Sequence, residues 1–272
     1  MGSYDILRSG NHRGIMFSRF QEIKDSSTDL DLLKSVAFVQ EKVVWITQKS
    51  GKIIREESQI MTSIYLVRHG QTAWNREEIF RGRTDVPLDE RGQKQAELVG
   101  QYFKGMKIHA IYSSPLARAW ETAQAIARFH TVKVEPLEAM IDMSFGNWEG
   151  HAHQEIREID GETYRQWVES PHLARLPGGE SLDDVRARSM TALEELVRNH
   201  PGKTLVLVSH RVICKVLICA ILGLDNSHFW QITQDTTAIN LIQYRNGKYI
   251  LSLMNETCHL KALKEKGLGV DF

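Results

Sequence analysis

Leu66-Val67-Arg68-His69-Gly70-Gln71-Thr72, closed by Trp74 and Asn75, decides how this chain is read. It follows an apolar run, Ser63-Ile64-Tyr65-Leu66-Val67, with the composition of a buried strand. In open α/β sheets, ligands bind beyond the carboxyl ends of the strands. Three different chemical groups stand at that point here. Arg68 offers a permanently charged, planar guanidinium suited to phosphate. His69 offers a ring nitrogen able to act as a nucleophile. Gly70 lets the backbone approach a ligand closely.

Outward from this turn, strand and helix patterns alternate. A loop of turn formers, Arg81-Gly82-Arg83-Thr84-Asp85-Val86-Pro87-Leu88, precedes a helix predicted over 89–103. Its Ala96, Leu98, Val99 and Phe103 share one face. Residues 107–112 read as a second strand. Ser114 then caps, and Pro115 opens, a helix that carries Arg118 to about Phe129. The pattern predicts a short strand over 131–134, an irregular stretch over 140–150, one amphipathic helix over 152–168 and another over 182–199. Thr204-Leu205-Val206-Leu207-Val208 is the most strand-like run in the chain. Ser209-His210 ends it, and a helix over 211–223 begins at once. Strands over 237–243 and 248–254 close the domain. Strands separated by helices predict an α/β fold, a three-layer sandwich with a mostly parallel central sheet flanked by helices.

Residues 1–60 differ in character. They hold Asn11-His12-Arg13-Gly14, a polar run Lys24-Asp25-Ser26-Ser27-Thr28-Asp29, a β-like segment Lys42-Val43-Val44-Trp45-Ile46-Thr47 and a Ser50-Gly51-Lys52 turn. No chemical constellation occurs there. Met61-Thr62-Ser63 has the look of a natural translation start. Residues 1–60 are therefore read as a poorly ordered or weakly structured N-terminal extension, and 61–272 as the functional domain.

Lys plus Arg equals Asp plus Glu at 34 each, which argues against bulk capture of nucleic acid or anionic membrane. An anion site must then be a local cluster of positive groups. Cys214, Cys219 and Cys258 form no disulfide framework and no CxxC, so a reducing cytoplasm is expected. No apolar h-region marks a signal peptide. The longest apolar stretch, 212–224, is interrupted by Lys215 and falls short of the roughly 20 residues of a membrane span. It reads as a buried helix. A homodimer is compatible with the sequence.

Two predicted strands end in a histidine, His69 and His210. If they run parallel in one sheet, both side chains lie at the edge where ligands bind. Arg118 follows the 107–112 strand by about one helical turn, so it can lean over the same edge. Asp142, among Met140, Ile141, Met143 and Phe145, is a carboxylate whose desolvation would favour the protonated form and suit a proton donor. Glu138 and Glu149 are its rivals. No HExxH, DxDxDG or Walker A pattern occurs. His151, His153 and Glu155 read as a solvated helix start rather than a metal site.

From 61 to about 260 the chain resembles the histidine phosphatase superfamily, in its phosphoglycerate mutase-like branch. The resemblance rests on Leu66-Val67-Arg68-His69-Gly70-Gln71-Thr72 with Trp74-Asn75, on Asp85-Val86-Pro87-Leu88, and on Ser113-Ser114-Pro115-Leu116-Ala117-Arg118-Ala119 with Thr122-Ala123. Phe145-Gly146-Asn147-Trp148-Glu149-Gly150, Pro177-Gly178-Gly179-Glu180-Ser181 and Val208-Ser209-His210 complete it in the family's order. It implies His69 as the nucleophile, with Arg68, Arg118 and His210 around the phosphoryl oxygens. Asn75 and the Gly70–Gln71 backbone would assist.

Three positions depart from the family pattern. Its donor is usually a glutamate where Asp142 stands, one methylene shorter here. Arg211 replaces a frequent glycine and Arg81 a frequent glutamine. With Gly82 these two count as substrate-binding, and their charge suggests a substrate with a second anionic group. The resemblance thus implies a metal-independent phosphomonoester hydrolase, with no cofactor, acting on a small phosphorylated metabolite through a phosphohistidine. The alternatives are a cofactor-dependent phosphoglycerate mutase and a phosphate-ligand-binding module that has lost turnover.

Overall fold

The computed structural model describes residues 22–23, 33–39, 42–49 and 52–266. The chain divides into two compact units, Met1–Ile60 and Met61–Phe272. In the first unit, β1 (Glu22–Ile23), β2 (Leu33–Val39), β3 (Lys42–Lys49) and β4 (Lys52–Gln59) form an antiparallel sheet in that order. The β-like Lys42-to-Thr47 segment lies within β3. The 11–14 and 24–29 stretches and the Ser50–Gly51 pair lie outside the described residues.

The second unit is built on β5 (Thr62–Arg68), β6 (Ala110–Ser113), β7 (Val134–Pro136), β8 (Thr204–Ser209), β9 (Ile239–Arg245) and β10 (Lys248–Glu256). Their spatial order is β10-β9-β5-β8-β6-β7. β5, β8, β6 and β7 are parallel, and β9 and β10 join antiparallel at the β5 edge. The helices are α1 (Ala73–Arg76), α2 (Glu90–Phe103), α3 (Ala117–Ala127), α4 (His153–Ile159), α5 (Gly161–Glu169), α6 (Leu182–Asn199) and α7 (Arg211–Ile221).

The strands' period of two divides the core between the sheet's faces. Leu205 and Leu207 of β8 pack with Ile64 and Leu66 of β5 against Val185 and Leu193 of α6 and Val212 and Val216 of α7. Val206 and Val208 face the other way, with Val67, against Val99 and Phe103 of α2 and Ala119 and Ile126 of α3. Such continuous apolar runs are what strands covered on both faces require. The expected three-layer sandwich with a mostly parallel sheet is what forms. Among the described residues, no helix is long and apolar enough to cross a membrane.

Three elements differ from the sequence expectation. The helix carrying Arg118 begins at Ala117, not Pro115. Its first free amide, Ala117 N–H, donates to Asp85 Oδ1 at 2.7 Å, a cap supplied from 32 residues away. The helix predicted over 152–168 breaks at Asp160, whose carboxylate accepts from the buried Trp148 indole N–H at 3.0 Å. The third strand starts at Val134, because its register to β6 pairs Ile111 with Val134 and Ser113 with Pro136.

Candidate active site

β5 and β8 are neighbours, with Arg68 paired to Ser209, so the residues that follow them emerge side by side. His69 N–H donates to the Ser209 carbonyl at 2.9 Å, and the His69 carbonyl accepts from Thr237 N–H at 3.2 Å. The two rings, His69 and His210, stand 5.2 Å apart at 58°. Both are fully buried, as are Arg68 and Arg118.

Each side chain is held by a named partner. His69 Nδ1 donates to the Gly70 carbonyl at 2.6 Å. A carbonyl only accepts, so the proton is on Nδ1 and the Nε2 lone pair is available for attack. Arg68 Nη1 donates to the Gln234 carbonyl at 2.6 Å, and the Gln234 side chain is locked to Asn240. Arg118 donates to the carbonyls of Thr84 and Gly82 at 3.0 and 2.8 Å, and to Asp142 Oδ2 at 3.1 Å. Thr237 is β-branched with φ of 53°, a strained conformation in the segment that clamps the His69 backbone.

The electrostatics follow from burial among cations. Desolvation, then Arg118, pushes both His69 and His210 well below the ordinary histidine value; Arg81 and Arg68 add to it. Both imidazoles are therefore neutral at neutral pH. Burial lowers the Arg118 pKa, and Asp142 opposes that shift. Asp142 is buried, but against a guanidinium and a neutral imidazole rather than in the apolar setting expected from its neighbours. Its Oδ2 lies 3.1 Å from Arg118 Nη2 and 3.5 Å from His210 Nδ1.

Above this cup lies a cleft lined by Trp74, Asn75, Arg81, Gly82, Phe145, His153 and Arg211, with Asp142 at its base. Arg81 sits close enough to act on both histidines. Gly82 has φ of 52°, and a Cβ there would fall 2.2 Å from Glu149 Oε1. Its carbonyl serves Arg118, so its part in the site is to orient that guanidinium.

Three expectations give way. The Gly70 and Gln71 amides do not point at a ligand. Gly70 N–H donates to Thr122 Oγ1 at 3.1 Å and Gln71 N–H to Gln95 Oε1 at 2.8 Å. Gly70 is required by packing instead, since a Cβ would meet the Gly92 carbonyl at 2.7 Å. Nor is Ser114 a helix cap of the ordinary kind, because its hydroxyl lies 2.7 Å from His210 Nε2. His153, read as solvated, stacks on Phe80 at 4.0 Å and lines the cleft. Arg188 and Gln234 carry no local pattern, and Ser114 reads from sequence only as a helix cap; the folded register brings all three to the site. Among the described residues, no group of three His, Cys, Asp or Glu is placed to hold a metal ion.

The arrangement presents a nucleophilic nitrogen, two buried guanidinium groups and a carboxylate around one small volume. That is the equipment for taking and releasing a phosphoryl group without covalent help from other residues. The model for "Histidine phosphatase superfamily (branch 1)" matches residues 64–257. The chain is 38% identical over 200 residues to phosphoserine phosphatase 1 of Hydrogenobacter thermophilus, covering 74% of this chain and 95% of that protein. Among solved structures it resembles Bacillus stearothermophilus YhfR, with TM-score 0.72 and 31% identity over 74% of this chain and all of that one. A phosphoserine phosphatase mutant from Entamoeba histolytica, in complex with phosphoserine, aligns with TM-score 0.67 and 32% identity over 73% and 99% of the two chains. With that match across most of its length and relatives aligned nearly end to end, the chain belongs to the histidine phosphatase superfamily, branch 1.

Proposed function

We propose that this chain hydrolyses the phosphomonoester of a small metabolite that carries a second anionic group, through a phosphohistidine on His69. The observation that carries the reading is the 5.2 Å separation of the His69 and His210 rings, with Arg68 and Arg118 buried beside them. In the first step His69 Nε2 attacks phosphorus, the ester P–O bond breaks, and Asp142 gives its proton to the departing oxygen. In the second, the Asp142 carboxylate takes a proton from water and the oxygen attacks phosphorus. The P–N bond breaks, inorganic phosphate leaves and neutral His69 returns.

The phosphoryl oxygens gain charge-assisted bonds from Arg118 and Arg68, which can grip them bidentately. A bound dianion competes with Asp142 for Arg118. Because guanidinium groups supply the positive charge, the reaction needs no divalent metal. Arg81 and Arg211 in the cleft support a substrate with a carboxylate near the ester, a chemistry that phosphoserine, bound by the Entamoeba histolytica relative, shares. The three free cysteines, two of them buried, support a reducing cytoplasm as the compartment.

The test is a panel of phosphate esters assayed with excess chelator, with acid-quench trapping of the enzyme-bound phosphate. Turnover should survive the chelator, and label from substrate should appear on His69. His69→Ala should lose both. Turnover that needs a divalent ion, or that persists in His69→Ala, sinks the reading. Transfer of the phosphoryl group to a second hydroxyl in preference to water would identify a mutase.

A further inference from the structure

Asp142 is one methylene shorter than glutamate, so its reach depends on how closely the backbone delivers it. The segment that bears it, residues 139–144, has no regular structure beyond a short 3-10 turn, Glu138–Met140. It is nevertheless held at nearly every peptide. Arg188, from the second turn of α6, places Nη1 at 2.8 Å from the Ala139 carbonyl and 2.9 Å from the Ile141 carbonyl. Its Nη2 donates to the Asp142 carbonyl at 3.2 Å. The other edge of the same guanidinium forms a two-point pair with Glu180, Nε to Oε1 at 2.9 Å and Nη2 to Oε2 at 3.0 Å. Glu180 then accepts from Ser144 N–H at 2.9 Å, and its own N–H donates to the Ser144 carbonyl at 2.9 Å. The Met140 carbonyl accepts from Ser209 Oγ at 2.7 Å.

We infer that Arg188, braced by Glu180, is a positioning residue for the proton donor, setting the distance of the Asp142 carboxylate from the leaving-group oxygen. Arg83 reaches the same Asp142 carbonyl at 3.5 Å and Glu180 at 3.1 Å, but donates to no carbonyl of residues 139–141. Arg188 does not line the cleft, and its charge reaches the site only as one of the cations that disfavour protonation of His210, an effect that Arg188→Lys keeps. Five donor contacts from one planar fork suit arginine and are beyond a lysine ammonium. Three of those contacts go to the carbonyls of residues 139, 141 and 142, the stretch of backbone that delivers the donor. The inference rests on Asp142 being the donor.

The experiment separates the two. Wild type, Asp142→Asn, Arg188→Lys, Arg188→Ala and both double variants are assayed on an alkyl phosphate, whose leaving group needs a proton, and on p-nitrophenyl phosphate, whose leaving group does not. Arg188→Lys should lower kcat on the alkyl ester by about tenfold or more, and on the aryl ester by less than about twofold. In the Asp142→Asn background, Arg188→Lys should cost almost nothing further on the alkyl ester, since residues acting as one unit are not additive. Equal losses on both esters, or a full additional loss in the double variant, overturn the inference while leaving Asp142 as donor. If Asp142→Asn itself fails to discriminate the esters, the donor assignment falls and the inference with it. Should Arg188→Ala not fold, the lysine variant gives the same reading.

Discussion

Ser114 Oγ lies 2.7 Å from His210 Nε2, while the other ring nitrogen, Nδ1, faces Asp142 Oδ2 at 3.5 Å. Among the described residues Nδ1 makes no hydrogen bond, so the nearby carboxylate favours a proton there by its charge alone. Nε2 is then an acceptor, and the serine hydroxyl donates to it. His210 thus presents a fixed N–H to the cup although it is neutral. Ser114→Ala removes the partner that fixes the tautomer, and should lower kcat about tenfold, or ~1.4 kcal/mol, typical of one buried hydrogen bond. Thermal stability should fall by less than that loss suggests. A kcat within twofold of wild type would show that Asp142 alone sets the tautomer.

The depressed histidines make folding stability depend on pH. A ring whose folded pKa lies below its unfolded value near 6.5 binds fewer protons folded than unfolded between those two values. Stability therefore rises with pH across that window. The contribution is complete above about pH 6.5 and is lost as pH falls through the folded values. The melting temperature of wild type should hold between pH 8 and 7 and drop steadily below about 6.5. His69→Gln, with one titrating ring fewer, should show a flatter acid slope by calorimetry. Parallel slopes in the two proteins would contradict the burial of a neutral His69.

Arg211 lies 5.9 Å over the Trp230 ring, and Lys215, one helical turn on, lies 4.6 Å over the same ring. The aromatic face, whose indole N–H is tied to the Trp167 carbonyl at 3.0 Å, orients Arg211 at the cleft. If Arg211 meets the second anion of the substrate, Arg211→Ala should raise KM for a carboxylated phosphomonoester by about tenfold. Trp230→Ala should raise it by about threefold, in line with a cation–π contact of ~0.5–1 kcal/mol. Neither change should move KM for an alkyl phosphate that lacks a second anionic group. A uniform rise across both substrates would place Arg211 in general anion attraction instead.

The strand-terminal histidines are legible because a short continuous apolar run ending in polar residues marks both a buried strand and its exit edge. His69 and His210 are linked by adjacency of β5 and β8, and a parallel reading of two such runs suffices to bring them together. Arg118 followed from one helical turn of reach. What the sequence hid was long-range hydrogen-bond trade. The α3 amide Ala117 N–H takes its cap from Asp85, Ser114 Oγ keeps only a long contact from Leu116 N–H and turns to His210, and the Gly70 and Gln71 amides are spent on Thr122 and Gln95. Arg188 sits on an amphipathic helix as arginines usually do, and its five acceptors span residues 139 to 180. A residue's local pattern carries no trace of partners that distant. Asp142's setting is hidden for the same reason, since the groups it meets, Arg118 and His210, lie far from it in sequence.

Two helical glycines should respond in opposite directions to the same substitution. Gly161 opens α5 with nothing within 4 Å of where a Cβ would stand, so Gly161→Ala should gain about 0.5 kcal/mol through a less flexible unfolded chain. Gly92 lies in the first turn of α2, where helix propensity alone favours alanine just as much. There a Cβ would fall 2.0 Å from the Gln71 carbonyl and 2.9 Å from Gln71 N, backbone atoms that cannot swing aside. Gly92→Ala should therefore cost ~2 kcal/mol or more, as overpacking does. The strain enters the loop at Gln71, whose neighbour Gly70 holds the His69 Nδ1 proton through its carbonyl, so kcat should fall as well. Urea midpoints and turnover measured on both variants check the pair. A stabilised Gly92→Ala with full activity would mean that α2 and the nucleophile loop do not touch as closely as the structure has them.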